Sequence, residues 1–300
     1  MTDLEHPTTA LDPVTRATPS SRTLFQEVTR RFFRHKPALT SFVVLLVLSV
    51  MALAAPVIAP YAYDFQDFTI IGQPQPPSRA HLMGTDNLGR DTFSRVLYGA
   101  RVSLAVGLFS ALIAATIGTL IGAVAGFYRG WLDSALMRFT DMVLSIPILP
   151  MVILLAGILR PSVPLIVLII GGFGWMGTAR LVRGRFLSLR QVEFVEASHA
   201  LGGSAVRVMF RHILPNALGP IIVATTLAVG GAIMLESALS FLGFGVQPPT
   251  PTWGNLLNEA REWLSIAPWL AIFPGLLILI TVLAVNFLGD GLRDAFDPKS

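Results

Sequence analysis

The sequence predicts an all-α membrane protein of six transmembrane helices, and three observations predict it. Its 300 residues are 53% hydrophobic and only 13% charged, with mean hydropathy +0.66, more apolar than a soluble domain of this length carries. Six apolar stretches, about 39–60, 102–127, 139–159, 164–180, 217–241 and 266–288, reach or approach the roughly 20 residues a helix needs to cross the hydrocarbon core. Basic residues gather between alternate stretches. With the N-terminus inside, segments 1–38, 128–138, 180–216 and 289–300 hold 16 Lys and Arg, against 6 in 61–101, 160–163 and 242–265. The positive-inside rule therefore places both termini in the cytoplasm. Helices follow because lipid cannot satisfy open backbone groups.

Residues 1–22 are rich in Pro, Thr and Ser without an apolar period, which predicts a disordered cytoplasmic tail. Residues 23–60 form a juxtamembrane segment and the first span. Arg30, Arg31, Arg34 and Lys36 beside Phe25, Phe32 and Phe33 suit an anionic leaflet. The apolar run opens near Leu39, too late and too long for a signal peptide, so it reads as an uncleaved anchor.

Residues 61–101 predict an extracytoplasmic loop, proline-rich at first and helix-compatible from TFSRVLYGARVSL onward. Its His81, Asp86 and Asp91 lack the alternating acids of a calcium loop and read as a turn-rich cap around Asn87-Leu88-Gly89.

Residues 102–290 form the five-helix core. Gly118, Gly122 and Gly126, extended by Ala114, let another backbone approach closely, either within the bundle or between subunits. Asp141, at the inner edge of its span, predicts an i,i+3 pair with Arg138. The fourth span is short and glycine-rich at Gly171, Gly172, Gly174 and Gly177. Glu236 falls within the fifth span, where a charge costs about 2.5–3.5 kcal/mol on insertion scales. With Ser237 and Ser240 as partners, it either lines a translocation path or makes a satisfied packing contact. Residues 291–300 close the chain as a short cytoplasmic tail.

Several function classes are excluded. The net charge of +4 lies between spans without the aromatic-interleaved stripe of a nucleic-acid surface. The absence of cysteine removes thiol nucleophiles, disulfides and thiolate metal sites. No G-x-x-x-x-G-K-[ST] occurs, so this chain has no phosphate-cradling loop of that kind. All five histidines, His6, His35, His81, His199 and His212, fall outside the spans, which argues against intramembrane catalysis. A transporter subunit with no catalytic, cofactor or metal residues is expected.

The charged segment 188–216 is the exception among the apolar runs. It predicts a helix to 201 with Glu193 and Glu196 on its polar side, ended by Gly202-Gly203, which accept positive φ. Ser204 can cap a second short helix, and Pro215 marks a break before the fifth span. A bulky acid at Gly202 is expected to obstruct the turn. The result is a helix-turn-helix projecting from the membrane, either a coupling element or a solvated linker.

The residues of this loop, Glu196-Ala197-Ser198 followed by Gly202 and Ile213-Leu214-Pro215, resemble the EAA loop of ABC importer permeases, with Ser198 in place of the second Ala. Further stretches, GTDNLGRDTFSRVLYGARVSL (84–104), ESALSFLGFGVQPPTPTWG (236–254), APWLAIFPGL (267–276) and NFLGDGLRDAFDP (286–298), are similar to the C-type permease of dipeptide, oligopeptide and nickel ABC importers. The resemblance runs from about residue 30 to 298. It implies the ABC importer type I permease fold in the bacterial cytoplasmic (inner) membrane, with alternating access. Glu196, Ala197, Ser198, Ala200, Leu201, Gly202, Ile213 and Pro215 would then couple the chain to a cytoplasmic ATPase. ATP and Mg would sit on two such ATPase subunits. A second, B-type permease and an extracytoplasmic binding protein, docking near 84–101 and 242–262, complete the implied complex. Its cargo would be di- or oligopeptides, with nickel, glutathione or a haem-like ligand as alternatives. A secondary transporter coupled through Glu236 is the competing class, but the internal repeat it should show is not visible.

Overall fold

The computed structural model describes residues 24–159 and 161–297, so the tail 1–22 and the last three residues lie outside it. Among the described residues every regular element is helical, beside one isolated bridge between Thr85 and Asp91. The order is α1 (Leu24–Arg34), α2 (Lys36–Leu53), α3 (Ala55–Ile58), α4 (Thr92–Tyr128), α5 (Gly130–Leu144), α6 (Ile148–Ile158), α7 (Val163–Gly172), α8 (Met176–Leu189), α9 (Glu193–Ala200), α10 (Ala205–Arg207), a π-helical turn (Val208–Ile213), α11 (Leu214–Phe241), α12 (Trp253–Ala260) and α13 (Trp269–Phe296).

Four continuous helical segments are long and apolar enough to cross a membrane: Lys36–Leu53, Thr92–Tyr128, Ala205–Phe241 and Trp269–Phe296. The third and fourth apolar stretches instead form bent pairs, α5–α6 at 77° and α7–α8 at 44°. Each bend has a local cause. Before α6, Pro147 has no N–H to continue the ladder, and the Ser145 hydroxyl donates back to the Met142 carbonyl at 2.7 Å. Between α7 and α8, Phe173-Gly174-Trp175 follows the Gly171-Gly172 end of the helix.

Two boundaries fall elsewhere than the apolar runs suggest. Helix α4 begins ten residues before 102, because Asp91 caps it, accepting from the Ser94 amide at 2.8 Å and its hydroxyl at 2.7 Å. The polar first turns of α4 are then covered by the preceding loop instead of lipid. Helix α13 runs past 290 to Phe296, whose ring lies against Gly219 of α11.

Helix α4 is the spine. At 37 residues it is about 55 Å long, against roughly 30 Å of hydrocarbon. Along one side α8 packs close: a Cβ at Gly118 would lie 2.6 Å from the Trp175 carbonyl, and one at Gly126 would lie 2.8 Å from the Arg183 carbonyl. At Gly122 a Cβ would strike the Ala179 carbonyl. The small-residue row thus serves packing within the chain. Helix α5 is tied to α8 by Asp133, which accepts from Arg183 Nε at 2.5 Å and Nη2 at 2.7 Å. Asp141 pairs with Arg180 at 2.5 Å, not with Arg138 as its spacing suggests, because tertiary packing brings α8 alongside α5.

The described chain ends share one end of the bundle. Arg31 of α1 donates to the Asp297 carbonyl at 2.5 Å, and His35 lies 3.5 Å from Asp294. Phe296 against Gly219 brings the start of α11 to the same end.

Candidate functional site

The segment from α9 to α11 stands at that end. Its anchor is an apolar cluster in which Val195 of α9 packs with Val182 and Phe186 of α8, Phe127 of α4, and Val208, Met209 and Ile213 of the π-helical turn. Ile213 is 0% exposed, so it holds the segment on the bundle and has no free surface for a partner. Arg190 reinforces the mount by donating to the Phe127 carbonyl at 2.5 Å.

Helix α9 ends in a Schellman motif. The Leu201 amide donates to the Ala197 carbonyl at 3.1 Å, and the Gly203 amide reaches back to the Ser198 carbonyl at 3.0 Å. Gly202 stands between them at φ +79°, the left-handed conformation that costs an ordinary L residue roughly 1–2 kcal/mol. A Cβ on Gly202 would meet nothing within 4 Å, so the requirement there is conformational. That corrects the expectation that an acid at 202 obstructs the turn: space around it is open, and Asp tolerates this backbone better than most residues.

Beyond the turn Ser204 takes extended backbone at the start of α10, though its hydroxyl makes no capping bond. Pro215 does not break the chain before the fifth span. The wide turn absorbs it, with the Leu214 amide bonding to the Met209 carbonyl five residues back. The Asn216 side chain donates to the His212 carbonyl at 2.7 Å.

The segment displays a mixed surface. Leu201 is 89% exposed, and Phe194, Val206 and Phe210 are exposed around it. Glu193, Glu196, Ala197, Ala200 and Pro215 are exposed too, and Ser198 is half-buried. Of the eight residues expected to couple the chain to an ATPase, seven therefore present surface and Ile213 does not.

Glu236 is 0% exposed. It accepts from the Ser240 hydroxyl at 2.7 Å and from Ser103 of α4 at 3.2 Å. Ser103 in turn accepts from the Trp253 amide at 3.2 Å, so α4, α11 and α12 meet at this node. Ser237 is also buried, with its hydroxyl unpaired among the described residues. Glu236 is satisfied by packing partners within the chain.

A second constellation escapes the reading of 81–91 as a simple cap. Arg95, 1% exposed, donates to Asp86 at 2.7 Å and to both oxygens of Glu259, at 2.5 and 3.0 Å. Arg90 donates to Asp86 at 2.6 Å and to Glu259 at 2.8 Å, and His81 meets Asp91 at 2.9 Å. The cluster fastens the loop after α3 to α4 and α12. Its signal in the sequence is the i,i+4 spacing Asp86–Arg90; the like spacing Asp91–Arg95 forms no ion pair, since Arg95 turns to Asp86 and Glu259. Residues 84–100 are consequently folded inward, apart from Asn87, Leu88, Phe93 and Tyr98, and offer little docking surface.

Between α2, α4, α11 and α13 runs a groove of about 730 Å³ lined by Leu108, Leu112, Leu218 and Ile222 among others. Three of its four threonines, Thr116, Thr225 and Thr226, each donate to a carbonyl four residues back on their own helix.

Comparison with known proteins matches this architecture. Residues 118–300 match the family model described as binding-protein-dependent transport system inner membrane component, and residues 23–77 match the N-terminal TM domain of oligopeptide transport permease C. The chain is 43% identical over 281 residues to the glutathione transport system permease protein GsiD of Pectobacterium atrosepticum, covering 93% of each. It is 41% identical over 278 residues to the oligopeptide transport system permease protein OppC of Haemophilus influenzae, covering 93% of this chain and 89% of the relative. A Shigella sonnei glutathione permease is 45% identical over 279 residues, covering 93% and 91%. With multi-pass apolar helices, a family match over more than half of its length and relatives aligned along nearly all of it, the chain belongs to the binding-protein-dependent transport system inner membrane components, as a permease subunit of an ABC importer.

Proposed function

We propose that this permease carries di- or oligopeptides across the inner membrane by alternating access, with α9 and its Gly202 turn as the coupling element seated on a cytoplasmic ATPase. Both termini and α9 then face the cytoplasm, and α12 with the loop after α3 faces outward. ATP and Mg belong to two separate ATPase subunits, and a soluble binding protein delivers cargo to the outer face. The observation that carries this reading is the rigid, exposed turn: Leu201 projects beyond a Schellman stop, while Val195 and Ile213 fix its base to α4, α8 and α11. A push on such a mount moves three helices together.

The 730 Å³ groove supports a second, B-type permease. Its lining is largely hydrocarbon with a few uncharged hydroxyls, a surface for another membrane helix and a poor one for a zwitterionic peptide. A peptide path needs polar groups from both permeases. The relative named for oligopeptides supports this cargo, and the relatives named for glutathione, a modified tripeptide, support the alternative of glutathione itself; neither name points to nickel or haem.

Reconstitution with the second permease, both ATPases and the binding protein tests the reading. Peptide uptake is expected with ATP and absent with an ion gradient alone. Gradient-driven uptake without ATP would remove the proposal.

A further inference from the structure

The outer end of the chain carries an exposed apolar patch that neither the bundle nor the buried ion cluster uses. In the loop after α3, Phe68 is 80% exposed, and Phe65 and Ile71 are exposed within the same seven residues. Backbone bonds hold this loop in place. The Asp67 amide donates to the Gly89 carbonyl at 3.1 Å and the Gly72 amide to the Asn87 carbonyl at 2.9 Å. Tyr61 stacks on Phe65 with centroids 5.6 Å apart, and its amide donates to the Ser94 hydroxyl of α4 at 3.3 Å. A preorganised patch loses little conformational entropy on binding.

Its height relative to the bilayer decides between lipid and protein. The loop is fastened beside Asn87, Gly89 and Ser94. On α4, Arg101 is exposed, and an exposed arginine sits at or beyond the hydrocarbon edge, given the cost of a lipid-buried charge. Ser94 lies seven residues further out, about 10 Å along the helix axis. The patch is therefore held above the hydrocarbon, where solvent-exposed phenylalanines are not stabilised by acyl chains.

Charge adds a second constraint. Asp64 is exposed beside Phe65. The Thr69 hydroxyl and amide both donate to Asp67, at 2.6 and 2.9 Å, and these bonds hold its carboxyl below the usual range, so it is anionic at neutral pH. An acidic rim beside exposed aromatics fits a partner with an apolar recess edged by Lys or Arg.

We propose that the loop 61–72, through Phe65, Phe68 and Ile71 with the acids Asp64 and Asp67, is the docking surface for the soluble binding protein, in place of residues 84–101. This rests on the importer reading above and assigns it a surface. The family is described as binding-protein-dependent, and with 84–100 folded inward, Phe65, Phe68 and Ile71 form the aromatic part of the exposed outer surface, beside Leu82 and Leu88.

The test uses the assembled importer in nanodiscs and the binding protein encoded with it. Phe68→Glu is expected to raise the binding-protein concentration giving half-maximal ATPase stimulation roughly tenfold or more, the scale of an aromatic anchor. Asp64→Lys is expected to weaken stimulation most at low salt. Because this chain has no cysteine, Phe68→Cys labelled before assembly carries a single fluorophore, which should become shielded only when binding protein is added. An unchanged half-maximal concentration in Phe68→Glu overturns the proposal. So does a label quenched by nitroxide lipids, which would make the loop a membrane anchor, or one already shielded in the importer alone, which would assign it to the second permease. If binding protein fails to stimulate even the wild-type complex, the importer reading itself falls. Stimulation that Phe68→Glu leaves intact removes only the surface assignment.

Discussion

Replacing Gly202 separates the conformational demand of the turn after α9 from contact with the ATPase proposed to seat on it. At φ +79°, with no atom within 4 Å of where a Cβ would stand, the site penalises backbone preference and leaves room for volume. An alanine there costs about 1–2 kcal/mol, which lowers the ratio of native to rearranged turn roughly 5- to 30-fold. A β-branched valine is worse, because its second γ branch resists positive φ, whereas asparagine enters the left-handed region several-fold more readily than other residues. Insertion and bundle stability should be unchanged, since the turn lies outside the cluster around Val195. ATP-driven peptide uptake in proteoliposomes should therefore fall in the order Asn, Ala, Val, with Gly202→Asn nearest to wild type and Gly202→Val close to uncoupled. Wild-type uptake in Gly202→Val would refute the conformational argument. Loss in Gly202→Asn equal to that in Gly202→Val would show that the partner's surface, and not φ, sets the requirement.

Other perturbations read other parts of the molecule. Arg95→Ala leaves Asp86 and Glu259 to Arg90 alone within a largely buried cluster, so the detergent-solubilised chain should lose about 3–5 kcal/mol, seen as a lowered thermal midpoint. Gly122→Leu forces a side chain into the Ala179 carbonyl and should destabilise by at least about 1–3 kcal/mol, while Gly177→Ala, which meets nothing within 4 Å, should not move the melting curve. Glu236→Gln keeps the volume and one acceptor oxygen, while its amide nitrogen can donate to the other serine hydroxyl, so ATP-driven uptake should persist; abolished uptake in a folded Gln variant would restore a proton-coupling role.

What the sequence made legible was whatever is local. Apolar run length located the four continuous membrane-length helices and the two bent pairs, and Gly202 followed by Gly203 marked the stop of α9 because a Schellman motif is written in two adjacent positions. The start of α4 was legible in the helix-compatible TFSRVLYGARVSL, whose Thr92 opens the helix behind the Asp91 cap, although the apolar run alone begins near 102. Tertiary pairs were not legible. Arg95 and Glu259 are 164 positions apart, and Arg183 and Asp133 are 50 apart, so no periodicity joins them. Asp141 shows the hazard: Arg138 was the near candidate, and packing supplied Arg180 instead. Burial of Ile213 was hidden for the same reason, since a motif match gives residue type and spacing while the surface it faces depends on α8.

The length of α4 explains how the two ends of the molecule can act as one. Its first turns hold the buried cluster of Arg95 with Asp86 and Glu259, which binds the outer loop and α12. Its last turns hold Phe127 in the cluster that carries α9 and the π-helical turn. Between them the row Gly118, Gly122 and Gly126 brings α8 to backbone contact, closer than larger side chains would permit. Close packing of this kind resists continuous deformation, so displacement at either end passes along the helix as rigid-body tilt. The bend at 145–147 interrupts the path from α5 to α6, whereas α7 and α8, bent apart at 173–175, are both packed on α4. On the proposed reading, a push at the Gly202 turn tilts α4, α8 and α11 together with α7, whose Gly171 lies against Ile113 and the Ser110 carbonyl of α4, relative to α6 beyond the bend at 145–147, and the apolar groove beside α4 and α11 is where a second permease would feel it.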